Sequence, residues 1–510
     1  MKYFPEIIRI LDRFREKRIE TIDHSFRDRK ENKEFQLYDG IRNGLFHNDS
    51  EAADTLYELP PTAAKYSTLK NRLKVRLLNS LFHLNLKRAG FSDSAQAFYL
   101  ARKNAFMIHI LFALGARKAA KLMAEKNLIL AQQFSLTEVA LSMARELRAS
   151  AGNTGSMSEY DRYDILLKQL LREYEAELIS LEYYERILAV LNRQSSGRPK
   201  IAAEFKSYAL KLTEMLNNGS SYTFRLNYYR VQAMAAEASG NHNARITGAR
   251  EAIKYLESVP QLLQNERLGD FWRSQLESYT NVRKYDDAFE AARQCAALYN
   301  PGSNSWFAYA EPYFVLLLNT LRFEEASKFF SEVTANSRFA AQPETAHEHW
   351  EIYRFYLNYA LKSIPELAEH ESVRRFNYDS FLRTVPKARR DKHGLNVAIL
   401  IAQILHMIDI RDYNGVMDRM EALGTYRTRY LQASMTQASS LFFRLLHIME
   451  NNAFSYKISL AKGRHIHNQL RSEVFEIVDS EQEAQILPYE WLWDCILERL
   501  KEQAETKKIA

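Results

Sequence analysis

Residues 271–301, FWRSQLESYTNVRKYDDAFEAARQCAALYNP, decide the reading of this chain. They form the pattern of two short amphipathic helices joined by a tight turn. The pair recurs in looser form. KYDDAFEAA at 284–292 and RFEEASKFF at 322–330 occupy equivalent second-helix starts, with Ala288 and Ala326 38 residues apart. RDYNGVMDRM at 411–420 takes the corresponding place in a further pair at 395–424. A chain of such pairs is a stack of helical hairpins, with degenerate repeats and insertions between them. Stacks of this kind offer a surface for holding something rather than a pocket for chemistry.

The rest of the sequence agrees with helix. At 510 residues it is too long for one compact core, so several domains or an extended array are expected. Hydrophobic residues make up 46% and charged residues 26%, and only 16 Gly and 11 Pro interrupt the pattern. Periodicity predicts helices near 3–19, 34–46, 50–58, 63–87, 93–112, 114–130 and 135–150. SAGNTGSMS at 150–158 marks a boundary, after which a helix from Glu159 to Asn192 would span roughly 50 Å, enough to brace several hairpins. RQSSGRPK at 193–200 reads as a loop, and 201–257 as two or three helices broken near 217–221 and 239–243. The expected division is a helical region at 1–150, a repeat array at 159–425 and a C-terminal helical cap at 426–510. In the cap, ILPYEWLWDCILERL forms a packed helix and KEQAETKKIA a frayed tail.

The hairpin at 271–301 resembles the tetratricopeptide repeat family, which pairs antiparallel helices in a unit of about 34 residues. Trp272 and Tyr279 match large first-helix positions, Tyr285 precedes Ala288 at the close contact between helices, and Cys295 takes a small second-helix position. Pro301 lies one place beyond the usual terminating proline, and Leu276 stands where the family has a small residue. The next unit keeps Phe323, Ala326, Phe330 and Val333, with Phe314 large where a small residue is expected. The resemblance implies an all-α, tetratricopeptide-like α-solenoid of stacked antiparallel hairpins whose concave face binds a peptide or a partner domain. Trp272, Tyr279, Tyr285 and Phe323 are core residues first under this reading, and Ala288 and Ala326 leave room for backbones to approach.

The formal charge of +7 is not gathered into a tail. Its clearest concentration is Lys65, Lys70, Arg72, Lys74 and Arg76, in KYSTLKNRLKVR, with no acidic residue among them. On a helix, 70/74 and 72/76 form two rows beside an apolar stripe of Leu69, Leu73 and Leu77, the pattern of a solvated face on a packed helix. The alternative is contact with phosphate or an acidic partner. Arg389 and Arg390, in PKARRDKH at 386–393, are a second candidate for phosphate or carboxylate.

Chemistry-bearing motifs are sparse. His347 and His349, near Glu344 and Glu351, fail to share one helix face and read as a polar helix start after Pro343. His83, His109, His406 and His447 sit in apolar surroundings and read as packing positions, and His465 and His467 as surface groups. The sequence has no HExxH, Walker loop, dinucleotide fingerprint, nucleophile elbow or kinase signature. Cys295 and Cys495 are the only cysteines, which gives neither a disulfide framework nor a Cys-rich metal site. No catalytic, metal or cofactor residue is assigned. The start, MKYFPEIIRILDRFREKR, lacks the continuous apolar stretch of a signal peptide, and the longest apolar segments fall short of a membrane span. A cytoplasmic protein is expected. The leading functional expectation is a noncatalytic scaffold or adaptor for a protein or peptide. The competing class is nucleic-acid binding through basic helical surfaces, and the third is an enzyme whose all-helical active site is assembled by folding.

Overall fold

The structure, a computed structural model, describes residues 3–13, 32–82, 91–192, 198–216, 221–364, 366–367, 376–378, 381, 395–426, 437–472 and 485–509. The chain is all-α, with 21 α-helices and no strand among the described residues. It divides into two compact units, Met1–Leu171 and Arg172–Ala510. The first holds α1 (Phe4–Arg13), α2 (Lys33–Arg42), α3 (Asp49–Tyr57), α4 (Ala64–Leu81), α5 (Asp93–Ala113), α6 (Arg117–Gln133), α7 (Thr137–Thr154) and the first part of α8 (Met157–Asn192). The second holds the remainder of α8, then α9 (Arg198–Glu214), α10 (Tyr222–Ala238), α11 (His242–Glu257), α12 (Asn265–Asn281), α13 (Tyr285–Leu298), α14 (Asn304–Asn319), α15 (Phe323–Ala335) and α16 (Glu344–Lys362). It is completed by α17 (Leu395–Asp409), α18 (Tyr413–Tyr426), α19 (Gln437–Asn451), α20 (Tyr456–Ser472) and α21 (Tyr489–Ile509).

One turn joins hairpin after hairpin. In the α12–α13 turn, Arg283 adopts φ 58°, the Lys284 N–H donates to the Tyr279 carbonyl, and the Arg283 N–H donates to the Thr280 carbonyl. This is the Schellman closure, in which a left-handed residue lets the last helical carbonyls find donors. The same pair of bonds recurs around Gly115, Ser135, Gly155, Gly240, Leu321 and Arg411, each at positive φ. Five residues beyond the left-handed position, Ala120, Ala140, Ala288, Ala326 and Val416 are all buried. In these five hairpins a fixed turn followed by a buried alanine or valine sets where the second helix meets the first, whereas Tyr160 and Arg245 take that place after Gly155 and Gly240. Because these connections are so short, the contacting neighbours α5/α6, α6/α7, α12/α13, α14/α15 and α17/α18 run antiparallel.

SAGNTGSMS, read as a boundary, is helix on both sides of a tight turn at Gly155 and Ser156, and the following helix is continuous from Met157 to Asn192, about 54 Å long. The interruption expected at 239–243 and the tight turn expected within 271–301 fall at turns. The segments 193–197, 217–220 and 386–393 lie outside the described residues. KEQAETKKIA, read as frayed, instead continues α21 to Ile509. Its start has a packing reason, since Gln503 is buried and its Nε2 donates to the Ile408 carbonyl at 3.1 Å.

The first unit has two separate apolar cores. One joins α1–α4 around Phe4, Leu37, Tyr66, Leu73 and Leu77, and the other joins α5–α8 around Ala101, Ile108, Ala124, Met143, Leu147 and Leu167. In the second unit a large core runs from Ile246 to Leu500. At its middle, α16 is buried on nearly every side through Trp350, Ile352, Tyr353, Phe355, Tyr356, Leu357, Tyr359, Ala360 and Leu361. An all-round apolar helix must be enclosed to be stable.

The C-terminal segment ties this core together along the hairpin ends. Glu490 accepts two bonds from Arg283, at 2.9 and 3.3 Å, across 207 residues of sequence. Asn319 donates to the carbonyls of Gln485 and Ile486, and Trp491 packs its ring 5.4 Å from Phe323 and 6.5 Å from Tyr359. Arg499 pairs with Asp409 at 3.2 Å, and Gln503 bonds Tyr413. The partners sit at or beside the ends of α12, α14, α16 and α17, so α21 contacts several successive hairpins rather than the last one alone.

Candidate interaction surface

The residues singled out in the hairpins at 271–301 and 305–334 are packing residues in the structure. Ala288 and Ala326 are fully buried, Tyr279 and Phe323 nearly so, and Trp272 and Tyr285 are half-buried against the same core. Cys295 is buried beside Gly269, where the Tyr299 ring lies 2.5 Å from the position a Cβ would take. Only glycine allows that approach. Burial pushes the Cys295 and Cys495 thiols up to about 12 each, so neither is a thiolate at neutral pH.

The basic run on α4 keeps its expected apolar stripe, with Leu69, Leu73 and Leu77 buried. Two of its cations are already engaged. Lys70 bonds Asp49 at 2.9 Å and Arg76 bonds Glu34 at 3.0 Å. Asp49 also accepts from the Tyr66 hydroxyl; burial pulls its pKa upward, but the bonds from Lys70 and Tyr66 hold it at about 2. Lys74 lies over the Tyr3 ring at 5.9 Å, and Arg72 lines a cleft of about 540 Å³ with Asn71, Val75 and Asn79. Arg389 and Arg390 lie outside the described residues.

The second unit holds a partly buried charge network, centred on the buried Arg245, that periodicity alone does not announce. Glu277 on α12 accepts from Arg245 of α11 at 2.6 Å and from Arg273 at 3.0 Å, while Arg245 also meets Glu237 of α10 at 3.2 Å. Burial opposes ionisation of Glu277, yet the two guanidiniums hold its carboxyl below the usual range. His242, buried beside Arg245, is pushed down to about 4 by desolvation and by that positive charge, so it stays neutral at neutral pH. Arg245, paired with Glu237 and with Glu277, fastens α10, α11 and α12 to each other. Farther along, Glu311 of α14 bonds His349 at 3.0 Å and Tyr353 at 3.4 Å, both on α16. His347 instead meets the Phe339 ring edge-on at 4.7 Å. His467, read as a surface group, is buried, 3.4 Å from Asp494. Among the described residues no group of three or more His, Cys, Asp or Glu is placed to hold a metal.

Exposed apolar side chains gather elsewhere, on α5 and α6. Phe98, Tyr99, Leu100, Phe106 and Ile110 of α5 stand exposed, followed by Leu114 at the turn, 79% exposed, and by Leu122 and Ile129 of α6. At about 100° per residue, Tyr99, Phe106 and Ile110 lie opposite Ala97, Ala101 and Ile108, which are buried. Helix α5 is therefore apolar on both faces while only one is covered. In contrast, Leu321 is the only exposed large hydrophobic between residues 222 and 362. Arg117, Lys118 and Lys126 are exposed around the α6 positions and have no acidic partner among the described residues. This surface was legible in DSAQAFYLARKNAFMIHILFA as apolar residues too numerous for one helix face, a signal that a search for catalytic motifs passes over.

No helix among the described residues is long and apolar enough to cross a membrane. Comparison with family models, curated proteins and solved structures finds no match.

Proposed function

We propose that this chain is a noncatalytic scaffold of the cytoplasm, a tetratricopeptide-like α-solenoid, that recruits a partner protein through the outer face of α5. The observation that carries this reading is the exposed apolar row of Tyr99, Phe106 and Ile110 on α5. Large contiguous apolar surface is costly to leave in water and marks interaction sites. Single exposed apolar side chains would need no explanation, but α5 presents a whole face. The repeated turn and buried small residue support the repeat architecture, and two protonated, buried thiols fit a reducing compartment. Pairing of Lys70 and Arg76 within the fold favours a protein partner over nucleic acid, because it leaves less positive charge for phosphates.

A photo-crosslinking amino acid placed at Phe106 of the full-length chain tests the reading, with Ile458 as an exposed apolar control. A nuclease-resistant protein adduct at position 106, absent at 458, is the expected result. Equal capture at both positions, or capture lost on nuclease treatment, overturns it.

A further inference from the structure

We propose that the cleft between the end of α16 and the helices α20 and α21 is a binding site for a small organic cation, an ammonium group on an apolar stem. The cleft holds about 570 Å³, inside the range of small-ligand sites. Ser363 and Ile364 reach it from the end of α16, Tyr456 and Leu460 from α20, and Trp491 and Cys495 from α21. Ile364, Leu460 and the two rings give an apolar stem its contacts, and an aromatic face also attracts an ammonium through its quadrupole, Trp most strongly. The cleft lies within the second unit and neither uses nor requires the α5 face.

Charge sets the sign of the ligand. Asp494 lines the cleft but is already matched by Arg471 at 2.6 Å and His467 at 3.4 Å. Glu498, one turn farther along α21, lines it too and has no hydrogen bond or ion pair among the described residues. Burial is the main cause of the raised Cys495 thiol, and Glu498 and Asp494 push it further the same way, so their charge reaches the inner wall of the cleft. Arg499, the cation that opposes them there, is held by Asp409 at 3.2 Å and Glu502 at 3.3 Å. The end of α16 acts in the same sense, because Ser363 is its C-cap and the last carbonyls of a helix carry the negative end of its dipole. Lys362, the basic residue of that last turn, is drawn off to Asp409 at 2.8 Å. The lining holds one cation, Lys501, three residues beyond Glu498, and no ion pair joins the two. An incoming ammonium therefore meets an unmatched carboxylate, a helix C-terminus and two aromatic rings, whereas an incoming carboxylate meets only Lys501.

The test is a ligand-observed NMR titration of the full-length chain with three probes of similar shape: 2-phenylethylammonium, 3-phenylpropionate and 2-phenylethanol. The ammonium should bind at least about tenfold more tightly than the other two, with affinity falling as salt rises. Glu498→Gln should weaken it by about fivefold or more, Lys501→Gln should strengthen it, and Leu460→Trp, which fills the cleft, should abolish it. Circular dichroism confirms that each variant keeps its helix content. Nα-acetyl-lysine methylamide, which carries a protein's own ammonium side chain, separates the two sources of this chemistry. Tighter binding than 2-phenylethylammonium assigns the site to a lysine of a partner, and weaker binding assigns it to a free amine. Tighter binding of 3-phenylpropionate, or affinity lost with Lys501→Gln and kept with Glu498→Gln, overturns the proposal by making the cleft an anion site. Equal affinity for the three probes, no saturable binding, or binding untouched by Leu460→Trp overturns it as well.

Discussion

The hairpins α5–α6 and α12–α13 are built alike and finished differently. Each turns through a left-handed residue, Gly115 or Arg283, and each seats a fully buried alanine five positions later, Ala120 or Ala288. Around α12–α13 every large apolar side chain finds cover, from neighbouring helices and from α21, whose Glu490 holds the turn itself. Around α5–α6 the inner face is covered and the outer one is not. An aromatic residue at hairpin spacing therefore has no fixed role. Tyr279 and Phe106 are both aromatic residues on the first helix of a hairpin, and what lies across from them makes one a core residue and leaves the other exposed.

The strongest way to break this contrast is to remove the cover. Trp493 of α21 is 1% exposed and packs near Gly463 within the large core. Trp493→Ala should destabilise the second unit by about 3–5 kcal/mol, the usual cost of deleting a buried ring and leaving a cavity. Urea unfolding followed by circular dichroism should show the loss. A change below about 1 kcal/mol would mean that α21 rests on the core without completing it.

A smaller effect sharpens the comparison at the helix contact. Ala288→Leu puts a large side chain where the backbone neighbours leave no space and should cost about 1–3 kcal/mol by overpacking. Phe106→Ser, on the uncovered face, should stay within about 0.5 kcal/mol of the parent chain. If the two changes cost the same, either the Ala288 contact is loose or the α5 face is covered after all.

Much of this was legible in the sequence. The apolar period placed the helices, and the pattern KYDDAFEAA followed by RFEEASKFF located the second helices of two hairpins. The Leu69, Leu73 and Leu77 stripe correctly separated the inside of α4 from its charged side. The partners of the charged residues were not legible, because Glu34 and Asp49 lie far upstream of Arg76 and Lys70 and reach them only through folding. The same holds for Glu277 against Arg245 and for Glu490 against Arg283. Turn positions were hidden for another reason. Glycine announces a left-handed turn at 115, 155 and 240, but Ser135, Arg283, Leu321 and Arg411 adopt the same conformation under residues that normally avoid it.

That last difference yields the finest test, in which one turn should respond with opposite signs in two places. At Gly115 φ is 82° and no atom lies within 4 Å of a built Cβ, so Gly115→Ala meets no clash and suffers only the left-handed backbone penalty. The expected cost is about 1 kcal/mol. Leu321 adopts φ 58° in the equivalent turn and is 45% exposed, so its side chain contributes modest packing while its backbone carries the same penalty. Leu321→Gly should therefore stabilise the second unit, by about 0.5 kcal/mol once the greater freedom of glycine in the unfolded chain is subtracted. Thermal unfolding of both variants reads the signs directly. A loss on Leu321→Gly would show that the leucine side chain, and not the turn geometry, holds the α14–α15 hairpin closed.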